Sequence, residues 1–312
     1  MIIRKQQEAS FKQMDSGRWI PREDSKVMGD LSRIRRDVKN WAKVIAIKDM
    51  SKIQQLGISD KDDLMKALAH VVILEDGELP QGLSTHKSSS ILLNALLAHD
   101  IFAKFFHSPF FFLQRDFGYN SENFSAANEL SDLYRMLQES NQEDAHLWRS
   151  KTLRLLLPLS RLGNHDEERV MRSWTESRIA EVSSQAASRF AAGPARHFMA
   201  VDAGDRTNYR TKLESIYQEA ATISVNLWTR RTFMKCTTLE EMRSPIFDPD
   251  SPHLVAHSII HPDDHEGRLK GQPISVIVHP LLEVLGTDEA KDYDQARVWA
   301  TAEVWFAVEN QM

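Results

Sequence analysis

Cysteine is nearly absent from this sequence, which has one thiol, Cys236, in 312 residues. A single thiol cannot form a disulfide within the chain, whereas small secreted domains commonly depend on disulfides. Residues 1–13 also lack the apolar core and the small-residue cleavage site of a secretory signal. We therefore expect a soluble, intracellular protein, placed in the cytoplasm with the nucleus left open.

Sequence motifs that mark common catalytic centres are also missing. The chain has no Gly-x-Gly-x-x-Gly or Walker A string for a nucleotide, and no Gly-x-Ser-x-Gly nucleophile elbow. Asp62 and Asp63 lack the third acid that the aspartate-rich magnesium motif of a class I terpene cyclase needs. Cys236 follows Lys235, but no base that would activate its thiol can be identified. We expect no cofactor, and an enzyme is the less favoured class.

Long uncharged apolar runs, which are typical of membrane-spanning helices, are absent as well. The most apolar stretch, 91–113, is interrupted by His99, Asp100, Lys104 and His107. A charged side chain at the centre of a bilayer costs about 2.5 to 3.5 kcal/mol on insertion scales. This stretch is therefore interpreted as a buried helix, and no membrane association is expected.

Charge is unevenly distributed along the chain, although the formal net charge is only -5. Residues 1–60 contain 13 basic and 8 acidic side chains, a net charge of +5. Residues 240–312 contain 5 basic and 14 acidic side chains, a net charge of -9. Such asymmetry is compatible with a charged partner or with attraction between the two ends of one molecule. Both regions mix the two signs, which favours the second interpretation.

The clearest helix signal follows Pro21, a residue suited to a first helical turn, with Glu23 and Asp24 near the positive end of the helix dipole. Apolar residues then recur at heptad spacing: Val27, Leu31, Ile34, Val38, Trp41 and Ile45. This stripe is either a dimer seam or the face that packs on its own domain. It lasts under three heptads, which favours packing within the chain and leaves a homo-oligomer open.

The opposite face of the same helix is basic; its cations are Arg33, Arg36, Lys39 and Lys43. Asp30 and Asp37 interrupt this face, and no recognised nucleic-acid-binding motif accompanies it. The sequence therefore does not predict a nucleic-acid partner, and a protein partner is favoured.

Further helices are predicted from apolar spacing and from breakers such as Gly163-Asn164 and Gly193-Pro194. Their ranges are 60–74, from 88 to the Ser108-Pro109 stop, 121–139, 143–162, 165–190 and 208–235. Trp148 and Trp174 lie on apolar stripes of these helices and are predicted to be core residues. Six phenylalanines are predicted to form the centre of the core: Phe102, Phe105, Phe106, Phe110, Phe111 and Phe112.

The sequence pattern changes after Pro245, where runs of β-prone residues replace the apolar spacing of helices. Segments 274–278 and 281–285 flank His279-Pro280, and segment 297–308 is interpreted as a strand that pairs back on them. A terminal helix is the alternative for this last segment. The predicted fold class is mainly α, a multi-helix body with a small C-terminal β hairpin or sheet. The predicted domains are a helical domain, 1–240, and a C-terminal loop and β element, 241–312, packed on it.

Several short strings of this sequence resemble a group of uncharacterised, mainly helical proteins of filamentous fungi. The strings are Trp19-Ile20-Pro21, Lys39-Asn40-Trp41-Ala42, His107-Ser108-Pro109-Phe110-Phe111-Phe112 and the tail 293–304. The resemblance runs from the first helix to the tail. It implies a fungal, cytoplasmic setting and a helical fold, and it implies no activity, cofactor or catalytic residue.

A histidine series is the strongest candidate for chemistry. His253, His257, His261 and His265 are spaced four residues apart. Histidines four apart on a helix can share a metal such as zinc, and an open coordination position could activate water. Pro262 cannot continue such a helix, so that only His253, His257 and His261 could act together. No metal site is predicted, and this trio is kept as the weaker alternative.

These observations favour a non-enzymatic interaction or regulatory protein that acts through its helical surface and its oppositely charged ends. One alternative is a metal-dependent hydrolase centred on His253, His257 and His261. Another is a helical binder of an apolar small molecule, with a pocket lined by Phe102, Phe105, Phe106 and 110–112. The metal content of the purified protein distinguishes the hydrolase from the interaction protein. An open cavity among the phenylalanines would indicate the small-molecule binder.

Overall fold

The computed structural model describes residues 19–80, 82–83, 88–114, 126–159, 165–200, 206–242, 245–260 and 269–307. Within these ranges the chain forms eight α-helices and six strands. The helices are α1 (Asp24–Ile45), α2 (Ser51–Gln54), α3 (Ile58–Leu68), α4 (Ser88–Ile101), α5 (Ala126–Ser140), α6 (Gln142–Leu156), α7 (Asp166–Ala192) and α8 (Arg206–Trp228). The strands are β1 (Phe233–Thr237), β2 (Leu254–Ala256), β3 (Val276–His279), β4 (Leu281–Leu285), β5 (Ala296–Ala300) and β6 (Ala302–Trp305).

Helix α1 forms where the heptad spacing predicts it. It begins three residues after Pro21, with Asp24 in its first turn near the positive end of the dipole. All six stripe residues, from Val27 to Ile45, are buried, and the helix packs on α4 and α8. The stripe therefore faces the protein's own core, and a homo-oligomer stays a prediction.

The phenylalanine-rich segment forms the predicted centre of the core. Helix α4 continues into a π-helical turn, Phe102–Phe106, and the chain leaves the helix before Pro109. Phe105 lies 4.9 Å from Phe111 between ring centroids, and Phe102 lies 4.6 Å from Phe106. The helical segment Ser88–Phe106 is long and apolar enough to cross a membrane, but 72% of its most apolar window is buried. That burial is the pattern of a core helix.

Three predicted helices end earlier than expected. The helix predicted for 143–162 ends at Leu156. The other two end where their last predicted residues pair as extended chain. Helix α3 ends at Leu68, not at residue 74, since Ile73 N donates to Ser275 O and Val72 bridges Val276. The predicted helix 208–235 ends at Trp228, and Phe233–Thr237 is instead strand β1. The start of the predicted helix 121–139 lies outside the described residues.

Helix α8 ends at Trp228 because polar side chains of α6 bind its last carbonyl groups. Arg149 donates to Trp228 O at 2.5 Å and to Thr232 O at 2.7 Å, and Ser150 donates to Thr229 O. Arg149 is fully buried and also lies over the Trp228 ring. Cations and donors at this negative end of the helix satisfy carbonyls that would otherwise be buried without partners.

The described strands form two three-stranded sheets, in the orders β1-β4-β5 and β2-β6-β3. Pro280 separates β3 from β4, and Thr301 separates β5 from β6. The stretches 276–285 and 296–305 therefore each contribute one strand to each sheet. The pairings β4 with β5 and β3 with β6 are antiparallel. The final segment is therefore strand, as predicted, and not a terminal helix.

The predicted fold class is confirmed in part, since the protein is mainly helical and has strands near its C-terminal end. Of the described residues, 57% are helical and 13% lie in strands or β-bridges, which makes the protein a mixed α/β structure rather than a helical body with one hairpin. Strand β1 lies before the predicted domain boundary at residue 240, yet it pairs with β4 beyond that boundary. The division into 1–240 and 241–312 stays a prediction.

The oppositely charged ends of the sequence meet within the molecule. Asp24, at the start of α1, pairs with Arg297 of β5 and with Arg230. Lys39 Nζ lies 3.9 Å from Glu303 Oε1, across the α1–β6 contact. Of the ion pairs in the described part of the chain, only the Lys39–Glu303 contact joins a cation of the basic region to an anion of the acidic region, whereas the Asp24–Arg297 pair joins the minority charges of the two regions. Intramolecular attraction therefore involves one such pair among the described residues.

Candidate functional site

The histidines of the metal hypothesis do not share a helix. His253 and His257 flank strand β2, where His253 O accepts a hydrogen bond from Ala302 N and His257 N donates one to Val304 O. Four residues of extended chain span about 13 Å, roughly twice their separation on a helix. His261 lies outside the described residues. The assumption that these histidines lie on one helix is therefore wrong for His253 and His257.

Each of these two histidines faces a different carboxylate. His253 Nε2 lies 3.6 Å from Glu283 Oε1, and His257 Nε2 lies 3.7 Å from Glu303 Oε1. Lys39 lies beside Glu303 and adds a positive charge that opposes a bound cation. Across the described ranges, no group of three or more His, Cys, Asp and Glu side chains is arranged to hold a metal ion.

His257 and its neighbour His279 are buried and held in the neutral form. Burial lowers the pKa of His257 to about 4, and the nearby Lys39 acts in the same direction. Burial also lowers the pKa of His279 well below its ordinary value, with Arg35 contributing. Neither ring nitrogen of His279 has a hydrogen-bond partner among the described residues. This cluster therefore makes stability depend on pH, and it offers no reactive geometry.

The phenylalanine cluster packs on itself. Its six rings are at most 5% exposed, and the centroids of Phe111 and Phe112 are 5.8 Å apart. Phe105 O accepts hydrogen bonds from Ser224 and from the Trp228 indole, which ties the cluster to α8. The rings fill the centre of the core, so that they are a poor candidate for the ligand pocket considered from the sequence.

A different feature stands out on the surface, at the end of the molecule where α6 meets α7. Large apolar side chains are exposed there, and we call them the α6–α7 patch: Leu155 (76% exposed), Leu159 (39%), Val170 (68%), Met171 (39%) and Trp174 (41%). Isolated apolar side chains are normal on protein surfaces, but groups of them mark interaction sites.

Two hydrogen bonds bring the parts of the patch together. Thr175 Oγ1 of α7 donates to Leu156 O at 2.5 Å, and Arg172 Nη1 donates to Pro158 O at 2.7 Å. These bonds place the last turn of α6 and the residues after it beside the second and third turns of α7. Val170 and Trp174 are four residues apart, so that their side chains share one helical face.

Acidic residues border this patch. Helix α7 begins with Asp166, Glu167 and Glu168, which complement the positive end of its dipole. Asp166 pairs with Arg169. Glu167 and Glu168 are exposed and have no ion pair within the described part of the chain. Apolar side chains and carboxylates without ion pairs therefore lie side by side at this end of α7.

The sequence prediction for Trp174 is wrong, and the patch was not recognised from the sequence. Trp174 was assigned to the core because it lies on an apolar stripe, whereas Trp148 is partly buried against the core as predicted. One signal was available, because the stripe of Val170, Met171 and Trp174 follows a run of four charged residues, 166–169. Such a run is typical of a helix end that projects into solvent.

Comparison of the chain with protein-family models, curated proteins and solved structures gives no match. The resemblance to fungal proteins stays a prediction. The function must therefore be inferred from the geometry of the side chains.

Proposed function

We propose that this protein is a non-enzymatic, intracellular interaction protein that binds a partner protein through the α6–α7 patch. The observation that carries the proposal is the exposure of five large apolar side chains where α6 meets α7. Burying such side chains contributes about 25 cal/mol per Å² of apolar surface, and aromatic residues such as Trp174 often dominate interface energetics.

The charges beside the patch determine the kind of partner. Glu167 and Glu168 supply exposed negative charge that has no ion-pair partner within the described chain. Complementary charge speeds association and selects among partners. The partner is therefore an amphipathic helix with an apolar face and flanking Lys or Arg residues, a mode in which i, i+3 and i+4 anchors fill an apolar groove.

A cytoplasmic setting is part of the proposal. Cys236 is buried, and burial raises the pKa of its thiol to about 12, so that it is protonated at neutral pH. This environment supports a structural role for the one cysteine. A reducing compartment suits a chain that uses no disulfide for its stability.

The proposal can be tested with a photo-crosslinking amino acid placed at Val170 in the full chain. The control places the same amino acid at Ile58, which begins α3 and is 92% exposed. Both positions are exposed apolar sites on helices, but only Val170 belongs to the patch. Crosslinking is carried out in cell extract, and the adducts are then reproduced with the purified partner.

We expect one dominant protein adduct from position 170 and none of that mass from position 58. The crosslinked peptide of the partner should be an amphipathic helix with basic flanks. Adducts of equal yield from both positions would contradict the proposal. An adduct of twice the chain mass, accompanied by concentration-dependent sedimentation, would replace the partner protein by a second copy.

A further inference from the structure

A cavity of about 520 Å³ lies at the opposite end of α7 from the α6–α7 patch. It opens between the last turn of α7, the short helix Pro194–Phe198, the C-terminal part of α1 and the start of α8. Cavities that bind small molecules typically have volumes of about 300 to 1,000 Å³. Since α7 has 27 residues and therefore a length of about 40 Å, the cavity and the patch are independent sites.

The floor of the cavity is apolar. Trp41, Ile45 and Leu213 contribute to its lining, and each is at most 5% exposed. The indole N–H of Trp41 donates to Tyr209 O at 3.1 Å, so that its hydrogen-bonding capacity is already used. Above this floor, the partly exposed side chains of Ala191, Met199 and Tyr209 offer carbon surface that suits an alkyl chain or an aromatic ring.

The rim of the cavity is positively charged. Arg196, His197 and Arg210 contribute to its lining, and none of the described lining residues is acidic. Asp60, outside the lining, pairs with Arg196 at 2.7 Å. Arg210 has neither an ion pair nor a side-chain hydrogen bond within the described chain. Among the described residues at the rim, two guanidinium groups and one carboxylate leave one net positive charge, and the guanidinium without an ion pair is that of Arg210.

We propose that this cavity binds a small organic monoanion, a carboxylate carried on an apolar body such as a medium-length alkyl chain. The carboxylate meets the guanidinium of Arg210, whose planar donors match the two oxygens of a carboxylate. The apolar body packs on Ala191, Met199 and Tyr209, above the buried floor. One net positive charge on the rim matches one negative charge on the ligand.

The test measures decanoate binding to the full chain by titration calorimetry, below the micelle concentration of decanoate. Decanol provides the same apolar body without the charge, and decyl phosphate provides a different anion. Arg210→Gln removes the unpaired guanidinium. Lys212→Gln is the matched control, because Lys212 lies two residues away on α8, pairs with Asp37 and is not part of the cavity lining.

We expect saturable decanoate binding that Arg210→Gln weakens about tenfold, as loss of a charge-assisted hydrogen bond does. Lys212→Gln should leave the affinity unchanged, and decanol should bind weakly. Ala192→Trp, an exposed position on the rim, should abolish binding by filling the cavity while the protein stays folded.

Three results would overturn this proposal. They are the absence of saturable decanoate binding, equal affinities for the Arg210 and Lys212 variants, and tighter binding of decyl phosphate than of decanoate. Leu155→Glu in the α6–α7 patch should leave decanoate binding unchanged. Loss of decanoate binding in that variant would place the bound anion at the patch.

Discussion

The two ends of helix α7 carry similar side chains in opposite environments. Val170 and Trp174, near the first residues, are 68% and 41% exposed, whereas Val182 and Phe190, farther along, are 6% and 7% exposed. The second half packs against α8, and the side chains of the first nine residues are exposed or only partly buried. An apolar side chain on a helix is therefore not sufficient to predict burial, because burial also needs a partner surface.

The largest change in stability is expected at the buried C-terminal end of α7. Phe190→Ala should lower the free energy of unfolding by about 3 to 5 kcal/mol, because it removes a ring that packs on Trp41 and Tyr217 and leaves a cavity. Chemical denaturation at pH 7 measures the change. A loss below about 1 kcal/mol would mean that the second half of α7 contributes no more to the free energy of unfolding than the first half.

Acidification should sharpen the comparison, because it acts on buried histidines and leaves the patch unaffected. The pKa of His257 is about 4 in the folded protein, below an ordinary value of about 6.5. The unfolded chain takes up this proton as the pH falls below about 6.5, and the folded chain does so only near pH 4. Stability present at pH 7 is therefore lost between these two values, by about 2 kcal/mol at pH 5 from this residue.

His257→Asn is the variant that checks this prediction, because the asparagine oxygen can replace His257 Nδ1 as acceptor for Ile259 N. We expect a smaller loss of stability between pH 7 and pH 5 than in the original protein. His146 and His279, whose pKa values are also lowered by burial, retain their share of the slope. His253→Asn, at a half-exposed ring, is the control. Identical slopes in the original protein and in His257→Asn would contradict the prediction.

The smallest effect on stability is expected at the exposed end. Trp174→Ala should change the free energy of unfolding by less than about 1 kcal/mol, because exposed side chains contribute little to folding. Its denaturation should be measured beside that of Phe190→Ala, under identical conditions. A loss similar to that of Phe190→Ala would show that Trp174 is a core residue and would remove the patch.

Local patterns predicted the parts of the fold in which neighbouring residues determine structure. The stripe of α1 predicted a buried face, and the β-prone runs around Pro280 predicted β3 and β4. The end of α8 could not be predicted, because Arg149 of α6 binds its carbonyls across 79 residues of sequence. The same holds for β1, whose apolar residues can continue a helical stripe until β4 provides a partner.

The candidate site was predicted less well than the fold. The spacing of His253 and His257 suits a helix and a strand equally, and pairing with β6 made the segment extended. The stripe containing Trp174 predicted which face could be buried, but not that nothing within the described chain covers it. The spacing of apolar residues identifies the apolar face of a helix. Whether that face is an interaction site depends on whether another element of the fold covers it.

The central claim is that the first half of α7 serves binding and the second half serves folding. The most direct test measures partner affinity and unfolding free energy together for Trp174→Ala and Phe190→Ala, using the partner identified by crosslinking at position 170. We predict that Trp174→Ala weakens binding about tenfold or more at nearly unchanged stability. Phe190→Ala should lose stability and, while folded, bind with the original affinity. Unchanged affinity of Trp174→Ala, or weaker binding by folded Phe190→Ala, would contradict the claim.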